Sequence, residues 1–240
     1  NYDEKEVPKF ILPKMLTSEK GVEIATSEQW NTLRRPEILE LFKTEVYGFI
    51  EDEALSVEFE VLGNDQITLN NKAIRKNVLM HFIKGQDTVS AHLLIYIPSK
   101  KVAHPVPIFL GLNFYGNHTV HYDTDIPITD SYIRSKIEYN VFENQATEAS
   151  RGVRSSRWPI EPIIDRGYGI ATIYYGDLDP DFDDNFENGI HQLLDKPADD
   201  TNDSRSAISA WAYGLSSAMD YFDVEVKGLL VERKQNKKTK

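Results

Sequence analysis

The sequence predicts an α/β fold whose sheet begins with antiparallel strands and continues with parallel strands that alternate with helices. Residues 55–61, 73–83 and 88–98 alternate between apolar and polar side chains, which is typical of half-buried antiparallel strands. Residues 106–114 and 168–177 are nearly continuous in apolar character, as in strands buried on both faces. Because helical patterns lie next to these two runs, the predicted order is an antiparallel meander followed by β-α-β-α-β.

The residues before the strands predict an extended segment and then a helix. Pro8 and Pro13 interrupt the first segment, which favours an extended path over the surface. Helical spacing begins at Ser27, a suitable N-cap residue, and ends at Gly48, a C-terminal stop. Pro36 suits the start of a second helical piece.

The later elements follow from turns, spacing and one long insertion. Residues 84–87 (Lys-Gly-Gln-Asp) predict a hairpin turn between the second and third strands. The two apolar strands are separated by a long insertion, which predicts a functional loop that contains a helix near residues 158–165. Residues 206–222 predict a helix with one apolar face, and residues 226–231 predict a last apolar strand.

Composition and charge exclude several functional classes. The chain has 240 residues, enough for a large core, and it has no cysteine. A thiol nucleophile, a zinc–thiolate site and a disulfide scaffold are therefore excluded. The net charge of −11 disfavours contact with phosphate backbones, so we expect no nucleic-acid partner. No apolar run approaches the roughly 20 residues of a membrane helix, so we expect no membrane partner.

One candidate binding loop directly follows the first apolar strand. Its sequence GLNFYGNHT contains Asn113, Asn117 and His118, and loops at the carboxyl ends of strands form the ligand crevice of open α/β sheets. We therefore predict that these three side chains bind substrate. The alternative is that the two asparagines only satisfy backbone groups in a tight turn.

A second candidate group lies near the end of the insertion. Arg154 and Arg157 flank a short polar stretch that ends at Trp158, and such a set can clamp a carboxylate or stack on a sugar. The alternative is that the indole packs in the core while both arginines pair with acidic surface residues.

The remaining motifs do not predict a metal or a nucleophile. The acidic loop GDLDPDFDDN lacks the glycine and glutamate of a calcium-binding EF-hand loop, and no His-x-x-x-His pair is present, so no metal is expected. The string nearest to Gly-x-Ser-x-Gly, residues 214–218, lacks the second glycine and lies in a predicted helix. No catalytic triad can therefore be assembled.

Five motifs, in order along the chain, resemble the glucuronoyl esterase family of carbohydrate esterases. They are NYDEKEVPKFILPKML, the RRPEIL segment between Trp30 and Gly48, LNFYGNHT, SRWPIEPIIDRGYGIATIYYGDLDPD and AISAWAYGLSSAMDYF. The resemblance extends over nearly the whole chain up to about Asp223.

The resemblance implies an α/β-hydrolase fold and a secreted or periplasmic location, with any signal already removed because the chain begins at Asn1. It also implies hydrolysis, without a cofactor, of the ester between glucuronic acid on xylan and lignin alcohols. The family's serine follows the strand after the last helix in a G-x-S-R-x-G-K turn. Here residues 232–234 read Glu-Arg-Lys, so no triad residue can be carried over.

We therefore expect residues 1–231 to form an incomplete α/β-hydrolase domain, truncated near the nucleophile strand, and residues 232–240 to form a disordered basic tail. The chain alone should be inactive. Two alternatives stay open, a non-catalytic binder of xylan or uronate and an acetyl-xylan-esterase-like protein completed by a second chain. The partner would be glucuronoxylan or a lignin–carbohydrate ester, and the exposed edge of the strand at 226–231 should favour self-association.

Overall fold

The computed structural model describes residues 2–51, 54–100, 105–194 and 205–236. The chain divides into two compact units, Asn1–Gly48 and Phe49–Lys240. No helix in the described ranges is both long and apolar enough to cross a membrane.

The first unit contains the predicted helical region as a series of short segments. Thr26, one residue before the predicted cap, accepts a hydrogen bond from the backbone N–H of Gln29 at 3.1 Å and forms a capping box with it. Gly48 ends the region with a φ of 67°, as predicted for a C-terminal stop. The segments are α1 (Ser27–Gln29), a π-helical turn (Trp30–Arg34), α2 (Arg35–Phe42) and a second π-helical turn (Lys43–Tyr47).

The second unit is built on a mixed six-stranded sheet. Its strands are β1 (Ser56–Val61), β2 (Gln66–Thr68), β3 (Ala73–Lys84), β4 (Asp87–Pro98), β5 (Ile108–Asn113) and β6 (Gly169–Tyr174). Their order is β1-β3-β4-β6-β5, with β2 paired to β3. All neighbours are antiparallel except β5 and β6, which are parallel. The predicted change from antiparallel to parallel pairing and the hairpin at residues 84–87 are confirmed.

The two apolar strands differ in burial. Every residue of β6 is buried, because this strand lies between β4 and β5. In contrast, β5 pairs only with β6 among the described residues, and Phe109 on it is 57% exposed. The prediction that both strands are buried on both faces is therefore confirmed for β6 and wrong for β5.

Helices cover both faces of the sheet and make it an α/β structure. The helices of this unit are α3 (Ile160–Asp165), α4 (Tyr175–Leu178) and α5 (Ala207–Asn236). On one face, Ile160 and Ile164 of α3 pack with Tyr96 of β4. On the other face, Tyr213 of α5 packs with Phe82 of β3, with ring centroids 6.0 Å apart. The helices predicted near residues 158–165 and at 206–222 are thus confirmed.

The predicted strand at Val226–Val231 is wrong, because these residues lie within α5. Helix-favouring residues follow Gly228 without a proline to end the helix, and a strand forms only when it finds a sheet partner. Residues 232–236 belong to the same helix, and residues 237–240 of the predicted tail lie outside the described ranges. The sheet edge predicted to drive self-association is therefore not at 226–231. On the parallel side of the described sheet the edge strand is β5.

The long insertion is held to the sheet by a charge cluster in which Arg75 is buried, Asp123 is mostly buried and Asp125 is exposed. Arg75 on β3 is 3% exposed and forms ion pairs with Asp123 and, at 3.0 Å, with Asp125. Tyr96 also donates a hydrogen bond to Asp123 at 3.2 Å. Burial opposes ionisation of Asp123, but the hydrogen bonds from the Asp125 N–H, Arg75 and Tyr96 outweigh it and hold its pKa below the usual value.

Candidate functional site

The candidate site lies where the parallel strands β5 and β6 end. Asn113, the last residue of β5, pairs with Tyr174, the last residue of β6, so the loops that follow both strands begin side by side. Gly116 turns the first loop with a φ of 91°. A side chain at this position would be strained, and its Cβ would lie 2.7 Å from the ring of His118.

The two predicted asparagines meet in a buried polar network. The amide of Asn113 donates to Asn117 Oδ1 at 2.6 Å and to Thr172 Oγ1 at 3.0 Å. The amide of Asn117 donates to the backbone carbonyl of His92 at 2.6 Å. Both asparagines are at most 2% exposed. Asn117 therefore satisfies a backbone carbonyl of β4 rather than one in the turn itself, as the alternative interpretation had it, and the network fixes the loop.

One polar atom of this network lacks a partner. Asn113 Oδ1 is buried and accepts no hydrogen bond from the described residues. A buried unpaired acceptor costs about 1–3 kcal/mol, so a ligand donor that reached this oxygen would remove that cost. Its role in substrate binding stays a prediction, as do those of Asn117 and His118.

His92 and Asp177 extend the network to a cavity. Burial lowers the pKa of His92 to about 4, so its ring is neutral. Its Nδ1 then accepts from Asn117 at 3.2 Å, and its Nε2–H donates to Asn77 Oδ1 at 3.1 Å. Burial also raises the pKa of Asp177, which accepts hydrogen bonds from Thr129 Oγ1 at 2.7 Å and from the N–H of His92. The adjoining cavity measures about 410 Å³ and is lined by Leu62, Leu79, Ser90, His92, Asn117, Pro127, Ile128, Thr129, Asp130, Ser131 and Asp177.

His118 contacts a serine, but the pair is not a nucleophile and its base. His118 Nε2 lies 2.8 Å from Ser150 Oγ, and both residues are fully buried. Ser150 donates its own proton to the carbonyl of Thr147 at 2.6 Å, so the histidine must donate to the serine. Burial, followed by the charge of Arg151, lowers the pKa of His118 to about 4. The pair is therefore structural.

A second serine–histidine contact crosses the antiparallel strands. His81 Nδ1 lies 2.7 Å from Ser90 Oγ, and His81 Nε2 lies 3.3 Å from Glu60 Oε2. No sequence motif predicted this contact, which forms because strand pairing places His81 opposite Ser90. Ser90 lies within the regular strand β4 rather than on the sharp turn that exposes a hydrolase nucleophile. With the Glu60 side chain 61% exposed, water also weakens the pair.

Arg154 lies against two tyrosine rings. Its guanidinium carbon is 4.9 Å from the ring centroid of Tyr139 and 5.7 Å from that of Tyr115, and it donates a hydrogen bond to the Tyr139 hydroxyl. Tyr115 and Tyr139 meet edge-on at 4.7 Å, and Lys136 lies 4.6 Å from the Tyr139 centroid. Neither the two tyrosines nor Lys136 was among the predicted site residues, because only the fold brings them to Arg154.

The structure separates the other two predicted residues from this cluster. Trp158 is half-buried and packs with α3. Its ring also lies over Gly111, where an added Cβ atom would be 3.8 Å from it. Arg157 is exposed. Neither Arg154 nor Arg157 makes a cation–π contact with Trp158 in the part of the chain that the structure describes. The predicted joint clamp of arginines and indole is therefore not formed.

The acidic loop after β6 does not form a metal site. Among the described residues, no three His, Cys, Asp or Glu side chains are grouped to hold a metal ion. The loop is instead fixed by protein contacts. Trp211 donates its indole N–H to the carbonyl of Asp179 at 2.9 Å, and Asp184 accepts from the N–H of Asn188 at 3.0 Å.

Relatives of the chain are carbohydrate esterases. It is 43% identical to the carbohydrate esterase MZ0003 from an unknown prokaryotic organism over 229 residues, which cover 94% of this chain and 52% of that protein. A promiscuous CE15 esterase from a marine bacterial metagenome superposes with a TM-score of 0.79 and 42% identity, over 93% of this chain and 56% of that chain. For a glucuronoyl esterase from Solibacter usitatus the TM-score is 0.79 and the identity 37%, over 92% of this chain and 55% of that chain.

The chain therefore spans about half the length of the relatives it matches. No protein-family model matches the sequence. The resemblance seen in the sequence motifs and the α/β-hydrolase-like fold that it implies are confirmed by these relatives.

Proposed function

The chain is similar over almost its whole length to carbohydrate esterases of the glucuronoyl esterase type, and from this premise we propose that it serves in the recognition of glucuronoyl esters on xylan. The observation that carries the proposal is the 42% identity to a CE15 esterase over 93% of the chain at a TM-score of 0.79. The candidate site supports it, because a fixed polar loop lies at the carboxyl ends of β5 and β6, where α/β sheets bind ligands.

We further propose that these 240 residues do not hydrolyse esters by themselves. A serine nucleophile needs a base within hydrogen-bond reach and a turn that exposes its hydroxyl. Ser150 is fully buried and donates to a backbone carbonyl, and Ser90 lies in a regular strand. Loss of the catalytic serine or histidine of such a site lowers the rate by about 10⁶.

An extracellular or periplasmic location follows from the proposed substrate, because a polymer such as xylan reaches an enzyme only outside the cell membrane. A purely binding function is the second candidate. The observation that favours it is the cluster of Arg154 and Lys136 on tyrosine rings, since aromatic and cationic side chains contact sugars and carboxylates without any catalytic group.

The first experiment is a hydrolysis assay of the purified chain with benzyl glucuronate and with acetylated xylan. We expect no product above the buffer blank. Ser90→Ala is assayed beside the parent chain, so that any slow turnover can be assigned to or removed from the contact with His81. Turnover by the parent chain would contradict the proposed inactivity, and its loss in Ser90→Ala would assign it to Ser90.

The second experiment separates the two candidate functions by reading the coding DNA beyond the codon for Val231 in all three frames. A frame that encodes the family's G-x-S-R-x-G-K turn supports an esterase to which these residues contribute the binding loops. If no frame encodes it, binding without hydrolysis becomes the favoured function, with a catalytic part on a second polypeptide as the alternative to test.

A further inference from the structure

Two cationic side chains share one aromatic ring beside the candidate site. The Nζ atom of Lys136 and the guanidinium carbon of Arg154 lie 4.6 and 4.9 Å from the ring centroid of Tyr139. Tyr115, two residues after the end of β5, contacts both Tyr139 and Arg154. We call these four residues the cationic cluster. All four are half-buried, so each keeps part of its surface open to solvent.

The cluster is positive within an acidic chain. The net charge is −11, yet no carboxylate in the described ranges forms an ion pair with Arg154 or Lys136. Arg151, only three residues earlier, is neutralised by a carboxylate. It forms an ion pair with Glu148 at 2.9 Å and donates hydrogen bonds to the carbonyls of Asp123 and Ile126. The local fold can thus neutralise an arginine, and it leaves Arg154 without a counter-charge.

The guanidinium of Arg154 is held in place with most of its donors unused. Its only hydrogen bond to the described residues runs from Nη1 to the hydroxyl of Tyr139, and two rings restrict its orientation. A guanidinium has five N–H donors in a planar fork that matches a carboxylate. A side chain already fixed in position loses little conformational entropy when it binds, which favours affinity.

The charge of the cluster distinguishes two forms of a uronic acid. An esterified uronate is uncharged, whereas a free uronate carries a carboxylate. Because a cation forms an ion pair only with the free form, the cluster should favour the acid over the ester. We propose that Arg154 and Lys136 bind a free uronate carboxylate on the carbohydrate chain while Tyr139 and Tyr115 contact the sugar.

This inference rests on the proposed function, in which the ligand is a glucuronic-acid-bearing xylan. It adds that the free acid, either the hydrolysis product or an unesterified neighbour, binds more tightly than the ester. Tyr139 also packs against a buried apolar group that includes Ile133, Val141 and Tyr174, the last residue of β6, so the cluster lies at the end of the sheet where the loop of Asn113 begins.

The test is isothermal titration calorimetry on the purified chain with four oligosaccharide probes. These are a xylo-oligosaccharide that carries free glucuronic acid, its methyl ester, an unsubstituted xylo-oligosaccharide and an oligogalacturonide. We expect the free acid to bind roughly tenfold more tightly than its ester, which corresponds to one charge-assisted contact. This preference should shrink when the salt concentration is raised from about 50 mM to about 500 mM.

Substitutions then assign the preference to named residues. Arg154→Gln should abolish roughly the full tenfold preference for the free acid over the ester. Lys136→Gln should reduce this preference roughly threefold. Arg154→Lys keeps the charge but loses the fork, so it should retain part of the preference. Lys100→Gln removes an exposed positive charge from the same unit and is the matched control. Circular dichroism on each variant confirms that it is folded.

The outcomes separate the subsite from the proposed function. The subsite is overturned if the parent chain binds acid and ester with equal affinity. It is also overturned if Lys100→Gln loses as much of the preference for the acid as Arg154→Gln does. If acid and ester bind equally well and both bind more tightly than the unsubstituted xylo-oligosaccharide, the proposed function stands and the subsite falls. If the oligogalacturonide binds as tightly as the acidic xylo-oligosaccharide and depends equally on Arg154, the carboxylate subsite stands and the assignment to xylan falls. No binding of any probe overturns both.

Discussion

Asp179 is a buried carboxyl group that should make the stability of the chain depend on pH. The residue is 3% exposed, and its Oδ1 atom has no hydrogen-bond partner among the described residues. Burial, followed by repulsion from Asp184, raises the pKa of Asp179 to about 7. At neutral and alkaline pH the folded chain must therefore hold a charge in a position that disfavours it.

The sign and size of the effect follow from the two pKa values. The pKa is about 7 in the folded state and 3.8 for an unperturbed aspartate, so the folded state binds the proton more tightly. Below about pH 3 both states are protonated, and the charge of Asp179 no longer lowers the stability. As the pH rises from about 4 to about 7, the unfolded state loses its proton first and stability falls. Because each tenfold change in proton affinity is about 1.4 kcal/mol, the full cost above pH 7 is about 4 kcal/mol.

The substitution Asp179→Asn keeps the shape of the side chain and removes its charge at every pH. We expect the variant to match the parent chain within about 1 kcal/mol at pH 4, where Asp179 is protonated. At pH 8 the variant should have the higher free energy of unfolding, by up to about 4 kcal/mol. The difference between variant and parent should develop mainly between pH 4 and pH 7.

The assay is urea unfolding of both proteins at several pH values, followed by circular dichroism and tryptophan fluorescence. Trp211 is a useful reporter because its indole bonds to the backbone of Asp179. Asp181→Asn is the matched control, since Asp181 lies two residues away and is exposed. If Asp179→Asn changes stability by the same amount at pH 4 and pH 8, the assigned pKa and its cause are refuted.

Two further predictions concern the charge cluster and the sheet edge. Arg75→Met should lower the free energy of unfolding by about 3–5 kcal/mol in urea titrations, because it leaves the mostly buried Asp123 without its cation. Lys72→Met breaks an exposed ion pair with Asp165 and is the control. It should lower the free energy of unfolding by under about 1 kcal/mol. Phe109→Lys should reduce concentration-dependent association measured by light scattering, because a charge on the exposed edge strand β5 opposes pairing with another chain. Phe142→Lys, a change at an exposed aromatic residue of the insertion, should leave association unaltered, and an equal effect of both would contradict a role for the β5 edge.

Local sequence patterns predicted those parts of the fold that depend on neighbouring residues. Alternation identified β1, β3 and β4, and the hairpin at residues 84–87 fixed the pairing of the last two. The exposure of β5 could not be predicted in this way, because burial depends on which strands lie beside it. The segment at 226–231 illustrates the same limit: its apolar run suits a strand and a helix alike, and the surrounding structure decides between them.

The candidate site shows the same division between local and distant contacts. Asn113, Asn117 and His118 belong to one loop, so the sequence could predict that they lie together. Their partners His92 and Thr172 come from two other strands, and no local pattern indicated that the asparagines would be buried. The cationic cluster depends on the path of the insertion, which brings residues 115, 139 and 154 into contact only after it folds back on the sheet.

The edge of β5, which pairs only with β6 among the described residues, links the candidate site to the proposed function. A strand that paired in parallel with β5 would lie about 4.8 Å away, and its carboxyl end would come beside Asn113. In α/β-hydrolases the nucleophile lies on the turn at the carboxyl end of a strand. A serine delivered to that position would meet the loop fixed by Asn113 and Asn117. Under the proposed function, the described residues would supply the binding loops of the site, and a strand added at this edge would be the place for a nucleophile.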